Sequence, residues 1–262
     1  MAGSGVPEVE YAQWVHQQEE IIEELGRALQ SERGQGPSSL DDQTLSRAVQ
    51  RAVQHSHRFY RLTRIQRNYN LGAWAGVSTV VKALMWMGSL QRPSTAVQLL
   101  YALMGHQIEA ELEELLELGD ADQDGRPSSL AALSAQQLSE LDRLQASTVN
   151  EEDRIERETA KLQQSLADEP LLSRGEVMWA PASSMYDAVT NDGSSSTTAD
   201  SRSALKQKLE ALQDLCVQAD ALQSSTLERV LEVLHTTYQK GQYLLASAKL
   251  QVALRKVGQP PQ

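Results

Sequence analysis

One stretch limits the fold of this 262-residue chain more than any other, namely the apolar segment that runs from Ala83 to Leu118. Gly88 follows an apolar run, and a glycine after the last turn of a helix readily adopts the left-handed conformation that ends it. Pro93 suits the first turn of a following helix, because a proline there lacks only an N–H that would have no partner in the helix. The stretch therefore predicts two helices joined by a buried corner.

The segment after the corner has the pattern of an amphipathic helix. Its apolar residues recur mostly at spacings of three and four, and its glutamates lie largely off that stripe. Apolar residues make up 40% of the chain, aromatic residues only 5%, and there is a single phenylalanine. We therefore predict an all-α fold, a multi-helix bundle of long amphipathic helices with enough chain for a sizeable core.

Composition along the chain predicts its organisation. Residues 1–8 are expected to be a disordered N-terminus, residues 9–258 a single all-α domain, and residues 259–262 a tail. Residues 31–40 contain glycine and proline and are predicted to be a linker. Residues 169–203 are rich in serine and threonine and poor in apolar residues, which predicts a flexible loop. After this loop we expect three helices, over 204–221, 226–235 and 238–257.

A long helix is expected to begin after Ser134 and to run to about residue 168. Ser134 can cap its first turn, and Gln137 stands at the third helical position, from which its side chain reaches back to the capping residue. The pair therefore predicts a capping box.

The helix predicted over residues 43–68 is strongly basic and contains no acidic residue. Four of its arginines share one face at helical spacing: Arg47, Arg51, Arg58 and Arg61. This face either lies in solvent and neutralises acidic helices of the same domain, or binds an acidic partner or nucleic acid. The long leucine heptad of a bZIP protein does not follow it, so direct DNA binding is not expected.

The sequence contains no recognisable catalytic or metal-binding motif. It has no phosphate-binding glycine loop, no nucleophile elbow and no zinc spacing of cysteine and histidine. Residues 119–125 match the start of a calcium loop, but Ala131 stands where a bidentate glutamate is required. We expect neither enzymatic activity nor a metal or other cofactor.

The single cysteine favours a reducing compartment, and the lack of a long apolar run predicts no membrane span. Because the N-terminus also lacks the features of a secretory signal, we expect the protein in the nucleus, the cytoplasm or both.

Several motifs occur in an order that is typical of one plant family. They are Trp86-Met87-Gly88, Arg92-Pro93-Ser94, Leu99 to Gly105, Leu130 to Leu138, and Tyr243 to Leu250. In these motifs the chain resembles the domain shared by the Delay-of-Germination seed-dormancy proteins and the C-terminal half of TGA-type bZIP transcription factors. The resemblance covers nearly the whole chain and marks Trp86, Gly88, Arg92, Pro93 and Ser94 as structural signature residues.

The resemblance implies a non-enzymatic regulator that binds type-2C protein phosphatases in dormancy and abscisic-acid signalling. Part of that contact lies in an N-terminal Tyr-x-x-Trp pattern, which Tyr11 and Trp14 match here. Two aromatic residues on one helical turn make a suitable anchor for a partner. They equally suit the attachment of the first helix to the core, and the sequence leaves both interpretations open.

The resemblance also raises two further points. Some family members bind haem through two histidines four residues apart in the last helix. Gln251 and Arg255 stand at those positions here, so haem binding by this route is expected to be lost. The alternative function is that of a TGA-like, transcription-associated regulator that acts in the nucleus with DNA-bound bZIP partners or by sequence-specific DNA binding. Homodimer formation is left open.

Overall fold

The structure, a computed structural model, describes residues 5–35, 39–69, 86–87, 91–118, 129–165 and 196–256. Six α-helices lie within these ranges, and they confirm the predicted all-α bundle. The helices are α1 (Gly5–Gln35), α2 (Ser39–Tyr69), α3 (Ser94–Leu118), α4 (Ala135–Ser165), α5 (Ser196–Val233) and α6 (Thr237–Lys256). A short 3₁₀ helix, Leu130–Ala132, precedes α4.

Several helices extend further than the boundaries that the sequence pattern indicated. The helix α1 begins at Gly5, inside the predicted disordered terminus, and runs through residues 31–35 of the predicted linker. The helix α2 takes up residues 39 and 40, and α5 takes up residues 196–203 of the predicted flexible loop. Residues 36–38 and 169–195 of those predicted segments lie outside the described residues.

The two helices predicted over 204–221 and 226–235 are a single helix, α5. The serines between them do not interrupt it, because the Ser225 hydroxyl donates to the Leu222 carbonyl at 3.1 Å within the helix. A hydroxyl that bonds the preceding turn in this way is compatible with a helix interior.

The chain divides into two compact units, residues 1–149 with 220–262 and residues 150–219. In the first unit α1, α2 and α6 pack against one another, and α3 contacts α6 and the 3₁₀ helix. Gly241 of α6 allows the close approach of these helices. A Cβ added at Gly241 would lie 3.1 Å from Leu45 of α2 and 3.2 Å from Leu29 of α1. The core of this unit continues through buried leucines of α3, α4 and α5.

The second unit contains the end of α4 and most of α5, where Ile155 and Leu215 are buried. Arg154 forms two short bonds with the Glu151 carboxylate one turn earlier, and it also donates to Gln218 of α5. The hydrogen bond from Arg154 lowers the pKa of Glu151. The bond from Arg154 to Gln218 joins the two helices at the surface of the unit.

The predicted corner between Trp86 and Ser94 is partly described. Trp86 is buried, Met87 has the left-handed φ of 49°, and Gly88, which was expected to hold that conformation, lies outside the described residues. The Arg92 and Pro93 carbonyls accept hydrogen bonds from Thr95 and Ala96. Both Pro93 and Ser94 are buried, so α3 begins within the core as predicted.

Two capping boxes start the helices α4 and α6. The Gln137 side chain accepts from the Ser134 backbone at 2.9 Å, and the Ser134 hydroxyl accepts from the Gln137 backbone at 3.2 Å, as predicted. Thr236 and Gln239 form the same pair at the start of α6. Each buried glutamine also donates from its amide to a distant carbonyl. Gln137 reaches Val233 at the end of α5, and Gln239 reaches Ser129 just before α4.

We predict that Gln137→Ala lowers the free energy of unfolding by about 1–3 kcal/mol, because it removes a cap and leaves the Val233 carbonyl without its side-chain donor. Chemical denaturation followed by circular dichroism measures the change. The matched control is Gln136→Ala, since Gln136 is exposed and, among the described residues, donates to Glu140 on its own helix. It should alter stability by no more than about 0.5 kcal/mol. Equal losses in both variants would contradict the role assigned to Gln137.

Candidate functional site

The Tyr-x-x-Trp pattern lies near the N-terminal end of α1, and its tryptophan faces the protein interior. The Trp14 side chain has no exposed surface and forms a separate hydrophobic cluster with Phe59 of α2. Its ring stacks on His55 with centroids 4.6 Å apart and planes only 6° from parallel. The indole N–H donates to the His55 carbonyl at 3.1 Å. Both the apolar surface and the single polar atom of Trp14 are therefore used within the fold.

A buried amide cluster extends from this tryptophan towards α6. Gln18 lies one turn after Trp14, and its side-chain oxygen accepts from Nε2 of His55. The Gln18 amide donates to the Ala248 carbonyl at 3.4 Å and to the Gln251 side-chain oxygen at 3.2 Å. Because a carbonyl can only accept, the bond to Ala248 fixes the orientation of the Gln18 amide and hence the proton on Nε2 of His55. The cluster ties α1 to both α2 and α6.

This geometry matches the interpretation in which Trp14 attaches the first helix to the core. The sequence could not distinguish this role from that of an exposed anchor, because both need a large aromatic residue on one face of a helix. Tyr11 lies one turn earlier in α1, and its side chain is outside the described part of the structure. The described residues on the outer side of this segment are polar: Gln13, His16, Glu19 and Glu20 are all exposed.

The arginines predicted to form a basic face are partly used inside the protein. Arg51 bonds Glu24 of α1 at 2.6 Å and Glu20 at 3.2 Å, and Arg58 donates to Gln17 of the same helix. Arg47 is exposed and donates to the carbonyl of Gln43 in its own helix. The side chain of Arg61 lies outside the described residues. The acidic surface that Arg51 meets is therefore the first helix of its own chain.

The two positions that the family resemblance pointed to as haem-ligand positions carry Gln251 and Arg255 in this chain. Gln251 is buried, and its side-chain oxygen accepts from Gln18. An amide held in this way does not fit a haem iron, which takes histidine, cysteine, methionine or tyrosine ligands. The side chain of Arg255 is not among the described ones. The loss of haem binding by this route stays a prediction.

Sequence reasoning missed one group of reactive residue types. Nδ1 of His57 in α2 lies 3.1 Å from the Ser224 hydroxyl in α5, and its Nε2 lies 3.6 Å from Glu228. Serine, histidine and glutamate occur together in hydrolases, but catalysis there also needs donors aimed at the oxyanion. All three residues lie inside helices, where the backbone N–H groups bond the preceding turn. We interpret the group as a polar contact between α2 and α5.

A small cavity of about 20 Å³ lies beside Tyr60, Pro93 and Gln251. Its volume suffices for roughly one water molecule, which is too little for a substrate or an organic cofactor.

Over the described ranges, no group of three or more histidine, cysteine, aspartate or glutamate side chains is placed to hold a metal ion. Among the helices described there, none combines the length and the apolar character needed to cross a membrane. The calcium-like loop at residues 119–125 lies outside those ranges.

Comparison with known proteins finds relatives that match the chain over almost its full length. Protein DOG1-like 3 of Arabidopsis thaliana is 28% identical over 250 residues, which is 95% of this chain and 82% of the relative. Protein DOG1-like 1 is 27% identical and Protein DOG1-like 2 is 28% identical, both from Arabidopsis thaliana. Each alignment covers 95% of this chain, with 87% and 88% of the relatives covered respectively. No protein-family model matches the chain.

We predict that Trp14→Ala lowers the free energy of unfolding by about 3–5 kcal/mol, as expected when a large buried aromatic side chain is truncated. Trp14→Phe should lose less, because it keeps an aromatic ring beside His55 and gives up mainly the indole hydrogen bond. Thermal and urea denaturation measure both. Gln13→Ala is the control, since Gln13 is the exposed neighbour of Trp14. A stable Trp14→Ala variant would show that the indole does not attach α1 to the core.

We further predict an alkaline limit to stability that involves the aromatic cluster. Burial raises the pKa of Tyr60 to about 12 from its ordinary value of 10.0. A raised pKa means that the folded state favours the protonated phenol. The stability that the protonated phenol of Tyr60 contributes to the folded state is complete below pH 10 and is lost as the pH rises towards 12. Denaturation at a series of pH values should show the decline, and Tyr60→Phe should make it less steep. An identical pH profile for Tyr60→Phe would contradict this assignment.

Proposed function

Since the chain belongs to the Delay-of-Germination family, which is related to seed dormancy, we propose that it is a non-enzymatic regulator that binds type-2C protein phosphatases. It acts in the abscisic-acid signalling that controls dormancy, in the nucleus, the cytoplasm or both. Family membership supports the proposed role in dormancy signalling. The N-terminal segment supports the proposed type-2C phosphatase as the partner.

The observation that carries the partner assignment is the placement of the Tyr-x-x-Trp pattern. Trp14 stacks on His55 and bonds its carbonyl, and Gln18 one turn later bonds α2 and α6. These contacts hold α1 in place over the turn from Trp14 to Gln18. A segment that is ordered before binding loses less conformational entropy when a partner engages it. Trp14 serves as a positioning residue, and Tyr11 with the exposed side of α1 makes the contact.

The charges of this segment suit a partner with basic or hydrogen-bonding groups. Glu19 and Glu20 are exposed on the outer side of α1, and Glu20 is only partly neutralised by Arg51 at 3.2 Å. Gln13 and His16 add exposed polar groups nearer to Tyr11. Polar residues around an aromatic anchor are the usual rim of a protein interface.

The alternative function, a transcription-associated regulator that uses the basic helix, gains no support from the contacts of α2. Arg51 and Arg58 donate to α1, so their guanidinium groups are already used in the fold. We therefore expect the bZIP partnership to be secondary and direct DNA binding to be weak.

The test is direct binding of a purified type-2C phosphatase, measured by calorimetry together with phosphatase activity. Tyr11→Ala should weaken binding at least about tenfold, whereas Tyr11→Phe should retain most of it because the ring is kept. Trp14→Ala should weaken binding only along with its loss of stability.

Tyr101→Ala is the matched control, since it removes a tyrosine from α3 and leaves the N-terminal segment intact. It should bind the phosphatase like the wild type. The proposal fails if the folded wild-type protein binds no type-2C phosphatase. It also fails if Tyr11→Ala and Tyr101→Ala bind equally well.

A further inference from the structure

The second half of α3 presents apolar side chains that the described structure leaves exposed. Val97, Leu100 and Met104 in the first half are buried in the core of the first unit. Further along α3 two large apolar side chains are exposed to solvent, Ile108 by 50% and Leu112 by 53%. Large apolar residues with this exposure, four positions apart on one helix, indicate a surface for a partner.

These two residues extend a continuous line along α3. Tyr101, Gly105, Ile108 and Leu112 follow one another at spacings of four, three and four, which places them on one side of the helix. We call these four residues the α3 stripe. From Tyr101 to Leu112 it measures about 16 Å at 1.5 Å per residue. That length equals roughly three turns of a partner helix.

Gly105 gives this stripe a notch. It is exposed in the middle of a helix, and a Cβ added there would have no atom within 4 Å. A glycine in a helix interior destabilises the helix relative to alanine, and nothing in the described surroundings of Gly105 requires its small size. The notch lies between Tyr101 and Ile108, where it can accept a large side chain from a facing helix.

The charge beside the stripe selects the partner. Glu109 and Glu113 are both exposed one position after Ile108 and Leu112, and the Glu109 side chain is 76% exposed. The sequence of α3 contains no lysine or arginine. A second copy of this chain would bring the same glutamates to the contact and so place like charges together. Charge complementarity therefore favours a basic partner over self-association.

We propose that the α3 stripe is a docking surface for a basic amphipathic helix of another protein. The apolar face of that helix covers Ile108 and Leu112 and inserts a side chain at Gly105. Its lysines or arginines lie along Glu109 and Glu113. This mode is the helix-in-groove recognition that uses anchors three and four residues apart. The surface is separate from the α1 segment assigned to the phosphatase, so either assignment can fail without the other.

The probe is a fluorescein-labelled peptide of about 18 residues, designed as a helix with leucines at spacings of three and four and lysines on both flanks. Fluorescence anisotropy with the full-length protein measures its affinity. Ile108→Gln with Leu112→Gln should weaken binding at least about tenfold. Glu109→Lys with Glu113→Lys should do the same and should remove most of the salt dependence.

Gly105→Gln separates binding from folding. Glutamine is a better helix former than glycine, so the thermal midpoint should rise, while the filled notch should weaken peptide binding at least about tenfold. A residue with a purely structural role would not shift these two quantities in opposite directions.

Two matched variants serve as controls. Ala110→Gln changes an exposed residue two positions from Ile108 and Leu112, on the other side of α3. Glu19→Lys with Glu23→Lys makes the same charge change at the same spacing on the exposed side of α1. Both should bind the peptide within about twofold of the wild type, apart from the effect of the altered net charge.

Four outcomes would overturn the proposal. One is no binding at a peptide concentration of about 1 mM. A second is equal binding of a scrambled peptide of the same composition, which would show non-specific attraction to an acidic protein. A third is unchanged binding in the Ile108→Gln, Leu112→Gln variant. The last is self-association of the wild type that this variant abolishes, which would make a second copy the occupant of the stripe.

Discussion

The arrangement of the first unit depends on two buried glutamines that tie together the starts of α4 and α6. Gln137 closes the first turn of α4 and donates to Val233, the last residue of α5, just before α6 begins. Gln239 closes the first turn of α6 and donates to Ser129, just before α4 begins. The first turn of α4 thus donates to the segment before α6, and the first turn of α6 donates to the segment before α4. Because both amides are buried, a helix that moved away would leave polar groups without partners, at about 1–3 kcal/mol each.

The position of α6 in turn determines how the N-terminal helix is held. Gly241 lets α6 approach Leu45 and Leu29 closely, and further along the helix Ala248 and Gln251 accept hydrogen bonds from Gln18. The same Gln18 bonds His55, on which Trp14 stacks. A path of direct contacts therefore leads from the glutamine caps to the segment that we assign to phosphatase binding. The order of that segment is a property of the whole unit, and a local sequence pattern does not contain it.

The two surfaces assigned to partners differ in how their acidic residues are compensated. On α1 two of the glutamates, Glu20 and Glu24, bind Arg51 of the basic helix α2. On α3 the glutamates have no arginine or lysine in their own helix, and the apolar residues beside them are exposed. Compensation within the fold stabilises α1 against α2, because opposite charges meet there. Because α3 itself contains no lysine or arginine, its described glutamates and exposed apolar residues offer both charge and apolar area to a partner.

Local features of this protein followed from the sequence alone. The helical class, the start of α3 after Pro93 and the capping box of Ser134 and Gln137 depend on residues within a few positions of each other, so periodicity and capping chemistry suffice to predict them. The second box, at Thr236 and Gln239, has the same signature and was available to the same reasoning.

Only the tertiary structure decided which side chains are exposed and which charges already have partners. Trp14 can bury its ring because His55 and Phe59, some forty residues away, provide a stacking surface and a carbonyl. Arg51 meets Glu20 and Glu24 across two helices, and α5 continues through serines that a local pattern treats as a break. Contacts between residues far apart in the chain depend on how helices pack, and helical periodicity identifies an apolar face without identifying what covers it.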